Sequence, residues 1–316
     1  MAESGGAPFR CPCALILPLL AQIFLNRFRD VQEITEQYVA SLIPPRRRWS
    51  RKGENGVVLC VGGSRLYHGA PALMAMAAYR TGVDLVYLAV PEVHERPIRS
   101  MAPELIVIPM VDAKLTKRVA DQILKWLPGR PNSAAIGPGL SVAKVTALQY
   151  LVGQLLSDGV PVVLDASALI PEVLEVVRGK RAVLTPHAGE FARLFGRHPG
   201  NSLEERVRSA QEAARSNDVV VLLKGPVDVI TDGERVLINR RGTPAMTVGG
   251  TGDVLTGIVA GLLAKGMEPL EAAAAGAFIN CVAGEVAERD LGLHVLPSDL
   301  IARLPAVMRT FDRVVD

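Results

Sequence analysis

Cysteine is scarce in this chain. The four present, Cys11, Cys13, Cys60 and Cys281, are too few and scattered for a disulfide framework and lack the paired spacing of a zinc site. A reducing compartment fits, so a cytoplasmic location is expected. An excess of one charge is missing too: 35 Lys and Arg face 32 Asp and Glu, with no long basic stripe, which argues against nucleic acid as a partner. The local run Arg46-Arg47-Arg48 reads as a solvated linker. Long hydrophobic runs are also lacking. Cys11 to Leu25 is strongly apolar, but it is short for a membrane span and no small-residue cleavage site follows. It reads as a packed or peripheral N-terminal helix, with a membrane anchor and a misassigned start codon as the alternatives.

What is present is enough apolar sequence, 49% of 316 residues, to build one large α/β domain. Residues 1–43 read as an N-terminal extension, because Pro44-Pro45 breaks any helix and regular alternation begins only at Val57; the domain is expected over 44–316. Apolar β-branched runs predict strands at Val57-Val61, Asp84-Val90, Leu105-Val111, Ser133-Ile136, Val160-Leu164, Ala182-Thr185 and Val219-Leu223. A hairpin is expected across Val229-Thr231 and Val236-Ile238, turning at Asp232-Gly233. Helical patterns at Ala70-Arg80, Leu115-Leu127 and Leu203-Ser216 alternate with the strands. That order implies a mostly parallel sheet covered by helices on both faces. The Ala-rich stretch Glu271-Ala287 is apolar nearly all round and reads as an internal core helix rather than a surface for a neighbour.

Five expected strands are each followed by a distinctive turn: Gly62-Gly63-Ser64, Gly137-Pro138-Gly139, Asp165-Ala166-Ser167, Thr185-Pro186-His187 and Lys224-Gly225-Pro226. In open α/β sheets ligands bind at the carboxyl ends of the strands, so these turns should line one crevice. Any one of them is also explained as simple punctuation between strand and helix.

The sharpest signal is Thr247-Val248-Gly249-Gly250-Thr251-Gly252-Asp253, which runs into Val254, Leu255, Ile258, Val259 and Leu262 at helical spacing. A glycine-rich turn feeding a helix presents bare amides and the positive end of the helix dipole, which suits phosphate. Asp253 falls in the first turn, where a carboxylate is favoured by the dipole alone. The glycines weigh toward function, since they cost backbone entropy unless something must approach closely. The Gly-Lys-Ser/Thr ending of a Walker loop is absent, and Gly137-Pro138-Gly139 lacks the third glycine of a dinucleotide fingerprint.

With Lys52-Gly53, Gly62-Gly63-Ser64, Gly69-Ala70-Pro71, Ile136-Gly137-Pro138-Gly139-Leu140, Leu184-Thr185-Pro186-His187-Ala188-Gly189-Glu190, Lys224-Gly225 and Gly249-Gly250-Thr251-Gly252-Asp253-Val254-Leu255, the chain resembles the NAD(P)H-hydrate dehydratases of the ribokinase-like superfamily. The motifs occur in family order from about Pro44 to Leu304. The resemblance implies a ribokinase-like α/β/α sandwich and a repair reaction. ADP or ATP, with Mg²⁺, phosphorylates the ring hydroxyl of the S epimer of hydrated NADH or NADPH, and phosphate is then eliminated. It further implies that Ala70, Gly139, His187 and Asp253 contact the hydrate, with Asp253 as catalytic base. Lys224, Gly225, Pro226, Val227, Asp228, Gly249, Gly250, Thr251 and Gly252 would contact the adenine nucleotide, and Glu190 would organise Mg²⁺ through water. Relatives form homo-oligomers, so one is expected here.

Two departures stand out. Asp165-Ala166-Ser167-Ala168-Leu169 replaces the usual Asp-Ala-Asp-Ala-Leu, and Arg241-Gly242-Thr243-Pro244-Ala245-Met246 lacks the usual Gly-Asn pair. Many relatives carry a fused epimerase, for which the residues before Pro44 are too few; a separate epimerase would then act upstream. The alternatives are a ribokinase-like vitamin or sugar kinase that keeps its phosphorylated product, and a non-catalytic nucleotide-binding module. Asp253 counts against the second, because a carboxylate beside phosphate oxygens gains a pure binder little.

Overall fold

The computed structural model describes residues 31–316. The apolar stretch Cys11–Leu25 and most of the expected N-terminal extension lie outside the described residues. Strands β1 (Val31–Glu33), β3 (Val57–Val61), β4 (Leu85–Pro91), β5 (Ile106–Met110), β6 (Ser133–Ile136), β7 (Val162–Leu164), β8 (Ala182–Leu184), β9 (Val220–Leu223), β10 (Asp228–Thr231) and β11 (Val236–Asn239) form one ten-stranded sheet. Its order is β1-β11-β10-β9-β8-β7-β6-β3-β4-β5. From β9 to β5 all neighbours are parallel, whereas β10 runs antiparallel to β9 and β11. A parallel pair, β2 (Arg46–Arg47) and β12 (Val314–Val315), forms a second, small sheet.

The side-chain period of two divides the strands between two cores. Val58, Cys60, Val86, Leu88, Ala135, Val163, Val183 and Leu222 face one cluster. Leu59, Val61, Tyr87, Ala134, Ile136, Val162, Leu164, Ala182, Leu184 and Val221 face the other. The first face is covered chiefly by α2 (Gly69–Arg80), α9 (Thr251–Ala264), α10 (Pro269–Leu291) and α11 (Pro297–Arg309). The second is covered by α4 (Lys117–Trp126), α5 (Val145–Ser157), α7 (Ala188–Phe195) and α8 (Leu203–Asn217). Both faces being buried explains why the strands read as nearly continuous apolar runs.

The strands and the hairpin lie where the apolar pattern puts them, with ends shifted by one or two residues. The start of the domain does not. Val31–Glu33 pairs in parallel with Val236–Ile238. The short helix α1 (Glu36–Leu42) is capped by Thr35, and Ile34, Val39 and Ile43 are buried in the core. Residues 31–43 are therefore part of the sheet domain, and its edge lies before Pro44. Three-residue pairing leaves no periodic trace, which is why the proline pair looked like the boundary.

Helix α9 is buried almost along its length, and two glycines let α2 approach it. A Cβ at Gly257 would stand 2.0 Å from the Met74 carbonyl oxygen, and one at Gly261 would stand 2.1 Å from Thr81 Oγ1. This contact fixes where the amino end of α9 emerges. Helix α10 is, among the described residues, the one helix long and apolar enough to cross a membrane, yet 78% of its apolar window is buried inside the fold. It is a core helix, as the Glu271-Ala287 pattern implied.

Candidate active site

The five turns sit side by side because β9, β8, β7, β6 and β3 are consecutive neighbours. At one end, the Gly63 amide donates to the Pro138 carbonyl oxygen over 2.9 Å. A Cβ on Gly139 would meet Ala70 Cβ at 3.4 Å and Tyr67 Cβ at 2.9 Å, so the Ala70 and Gly139 backbones abut through the absence of a side chain. At the other end opens a cleft of about 810 Å³. His187, Lys224, Gly225, Pro226, Asp228 and the whole run Gly249–Gly252 line it. Ala70, Gly139, Val227, Glu190 and Asp253 do not line this cleft, and Asp253 stands one residue beyond its glycine wall.

The start of α9 has the character of an anion hole. Gly250 occupies the N-cap position with φ +109°, which favours glycine, and no side chain caps the helix. Among the described residues, the amides of Thr251, Gly252 and Asp253 find no acceptor. Each helix begins with such orphan donors, and here neither a side chain nor another backbone satisfies them. Thr251 Oγ1 turns back to the Met246 carbonyl at 2.9 Å, fixing the loop that precedes the hole.

Beside the hole lies a charged cluster centred on Lys224. Its Nζ is 2.8 Å from Asp165 Oδ1 and 3.8 Å from Glu190 Oε2. Asp165 is only 2% exposed, and its other oxygen accepts from Thr256 Oγ1 at 2.9 Å. Burial alone would lower the Lys224 pKa, but the charges of Asp165 and Glu190, the hydrogen bond to Asp165 and the charge of Asp253 outweigh it, so the ammonium is held more firmly than usual. Asp253 is shifted as well, away from the ordinary carboxylate range. Burial first, then the negative charge of Asp165, raise its pKa from 3.8 to about 7, with Lys224 opposing and Glu190 adding to the rise. A general base poised near neutrality is the condition for efficient proton transfer.

His187 and Glu190 form a capping box at the start of α7: His187 Nδ1 accepts from the amides of Gly189 and Glu190, and Glu190 Oε2 accepts from the His187 amide at 3.0 Å. The dipole explanation for Glu190 thus holds, and the same oxygen also faces Lys224. With Nδ1 occupied as an acceptor, the imidazole carries its proton on Nε2, on a side chain 60% exposed at the cleft wall.

Asp228 supports the Lys224 turn from beneath. Its carboxylate accepts from the Gly225 amide at 3.0 Å and Asn239 Nδ2 at 3.1 Å. From the other side Arg206, 8% exposed, donates through Nη2 to the carbonyl oxygens of Leu223, Lys224 and Val227 at 3.4, 3.2 and 3.5 Å. Asp165 was expected only as part of a turn on the crevice, without a role, and Thr256 and Arg206 were not among the expected site residues. The position of Asp165 just after β7 was the available signal; Thr256 and Arg206 sit inside helical patterns and gave none.

Among the described residues no group of three or more His, Cys, Asp and Glu side chains is placed to hold a metal. The carboxylates Asp165 and Glu190 are engaged with Lys224. A fully dehydrated ion therefore has no cage here, whereas one that keeps its waters and rides on phosphate oxygens is compatible with the site.

The profile of the NAD(P)H-hydrate dehydratase family matches residues 58–306. Over 282 residues the chain is 51% identical to the ADP-dependent (S)-NAD(P)H-hydrate dehydratase of Nitrosopumilus maritimus, covering 89% of this chain and 98% of that one. It is 48% identical over 269 residues to the bifunctional NAD(P)H-hydrate repair enzyme Nnr of Pyrobaculum aerophilum, covering 84% of this chain and 53% of the relative. The crystal structure of the Bacillus subtilis ADP/ATP-dependent NAD(P)H-hydrate dehydratase, co-crystallized with ATP/Mg²⁺, superposes with a TM-score of 0.79 at 30% identity, covering 90% of this chain and all of that one. A buried carboxylate beside an uncapped glycine helix start on a parallel α/β sheet thus comes with kinship over most of the chain, and the chain belongs to the NAD(P)H-hydrate dehydratase family.

Proposed function

We infer that this enzyme is an ADP-dependent (S)-NAD(P)H-hydrate dehydratase, restoring NADH or NADPH from its hydrated form at the expense of a phosphoryl bond. The observation that carries the reading is the pairing of three unbonded amides at the start of α9 with a carboxylate whose pKa lies at about 7. Asp253 takes the proton from the ring hydroxyl as that oxygen attacks the terminal phosphoryl group of the nucleotide. The amides of Thr251 and Gly252 and the Lys224 ammonium receive the charge on the moving group, which is where positioned donors contribute most. The ring C–O bond then breaks, phosphate leaves with the bonding pair, and loss of the neighbouring ring proton restores the double bond.

His187, Ala70 and Gly139 contact the hydrate in this reading. The Lys224–Asp228 turn and Gly249–Gly252 contact the nucleotide, with Asp228 and Val227 acting through the turn's backbone. Mg²⁺ neutralises phosphate charge when bound, and Glu190 would hold it through water. The buried free thiols Cys60 and Cys281 accord with a cytoplasmic location. A homo-oligomer and a separate upstream epimerase complete the proposal; light scattering of the purified protein tests the former.

The decisive assay incubates the protein with NADH hydrate, Mg²⁺ and either ADP or ATP, and follows recovery of the reduced-nicotinamide absorbance. Recovery with release of inorganic phosphate is expected. No recovery with either nucleotide overturns the reading, and accumulation of a phosphorylated product without recovery points to a kinase instead.

A further inference from the structure

Asp165-Ala166-Ser167, the turn after β7, carries no group assigned to substrate or nucleotide, yet it is held in a costly shape. Ala166 has φ +51°, a left-handed conformation that residues other than glycine seldom adopt. An alanine side chain cannot offset that cost with a local hydrogen bond, so the surroundings must impose it. Arg193 donates from Nη2 to the Ala166 carbonyl at 3.2 Å. Gly137 stands against the other side, where a Cβ would come within 1.8 Å of the Asp165 carbonyl oxygen. A backbone held against its preference fixes the residue at its start, and that residue is Asp165, buried at the edge of the anion hole.

Both oxygens of its carboxylate are engaged. Oδ1 accepts from Lys224 Nζ at 2.8 Å, and Oδ2 accepts from Thr256 Oγ1 at 2.9 Å. The Thr256 hydroxyl has one proton and also lies 2.9 Å from the Gly252 carbonyl oxygen; the carboxylate is the stronger acceptor. A Cβ on Gly252 would stand 3.3 Å from Lys224 Nζ and 3.9 Å from Asp165 Oδ2. The last glycine of the anion hole thus leaves room for the ammonium as well as for phosphate. An ammonium on a four-carbon stem is a mobile charge unless something holds it. Asp165 holds Lys224 at 2.8 Å, Glu190 stands farther off at 3.8 Å, and the lysine still reaches the cleft wall. Buried ion pairs seldom add stability over an apolar pair, so stability is a poor account of this one.

We propose that Asp165 and Thr256 are positioning residues for phosphoryl transfer: Thr256 fixes the rotation of the Asp165 carboxylate, and Asp165 aims the Lys224 ammonium across Gly252 at the moving group. The proposal rests on the phosphoryl-transfer reading above and adds to it two residues that touch neither substrate nor nucleotide. Their effect reaches the reaction only through Lys224. Displacing a positioned group by about 1 Å can cost about 10²-fold in rate, so a distant hydroxyl can matter.

The test measures steady-state turnover of NADH hydrate with Mg²⁺ and ADP or ATP, with thermal melting of each variant alongside. Thr256→Val keeps every charge and nearly the same shape, and kcat should fall about tenfold with the hydrate KM unchanged. Thr256→Ser keeps the hydroxyl and should restore turnover to within about twofold of wild type. Asp165→Asn removes the charge that holds the ammonium and should cost more, about 10²-fold. The deciding measurement repeats Thr256→Val in a Lys224→Met background. There it should add nothing, whereas a merely structural loss would multiply equally in both backgrounds. Lys224→Gln takes the place of Lys224→Met should the latter fail to fold. Equal losses in both backgrounds, a valine variant that turns over like wild type, or a serine variant no better than valine would overturn the assignment. A wild type without turnover on either nucleotide removes the phosphoryl-transfer reading, and this assignment with it, before any variant is compared.

Discussion

Replacing Asp253 with Asn should make the protein more stable and nearly inactive. In the folded chain the carboxyl pKa stands at about 7 against an ordinary value of 3.8, driven by burial and by Asp165. The folded state therefore binds a proton that the unfolded state has released between those limits, and stability falls as pH rises through that window. Above about pH 7 the full penalty is present; below 3.8 both states are protonated and it vanishes. At 1.36 kcal/mol per pH unit the gap bounds the penalty at about 4 kcal/mol. Asp253 is only partly buried, and solvent screening brings the expected gain of Asp253→Asn to about 1–2 kcal/mol. That corresponds to a rise in Tm of about 1.5–3 °C at pH 8. Thermal melts of both proteins at pH 4 and pH 8 provide the comparison, with the gain confined to the higher pH. Turnover in the absorbance assay should drop by about 10²- to 10⁴-fold, the usual share of a general base. The wild-type kcat/KM should rise with pH through about 7 and then level off, because the base works deprotonated. A variant that melts lower at pH 8, or that keeps turnover within a few-fold, would refute the placement of the base in a charge-hostile pocket.

Glu190→Gln separates two roles of one side chain. Glutamine also serves the third position of a capping box, so melting should change by less than about 1 kcal/mol, while the Mg²⁺ concentration needed for half-maximal activity should rise several-fold; an unchanged metal requirement would leave Glu190 as a cap alone. Gly257→Ala drives a methyl toward the Met74 carbonyl, and this overpacking should cost about 1–3 kcal/mol in urea denaturation. A neutral effect would mean that α2 and α9 are not held in close contact.

Much of the frame was legible because buried strands advertise themselves. Val57–Val61 and Ser133–Ile136 were bounded without error, since apolar residues fill both faces and glycine or proline ends each run. The rim of turns was legible for the same reason, as each follows a strand that pairs with the next. Asp253 and its glycines were visible as a local motif. What stayed hidden depends on contacts distant in sequence. Asp165 reads as a remnant of a motif until Lys224 and Thr256 are seen to hold it. Arg206 looks like an ordinary charge on α8, yet its guanidinium reaches three carbonyls of the next turn. Asn280 is one polar letter in an alanine-rich helix, and only the packing around it shows that its Oδ1 has no partner among the described residues. Strand β1 is too short to carry a period.

The pairing of Val31 with Val236 has a bearing on how the protein is made. During synthesis the first strand leaves the ribosome most of the chain ahead of its partner, a delay of roughly 10–40 s at about 5–20 residues per second. It must wait unpaired while the parallel strands from Val57 onward assemble. The last hairpin then arrives with an open edge, and the waiting strand shuts it. A shortened version beginning after Glu33 would leave that edge bare, with unpaired amides and carbonyls free to recruit another chain.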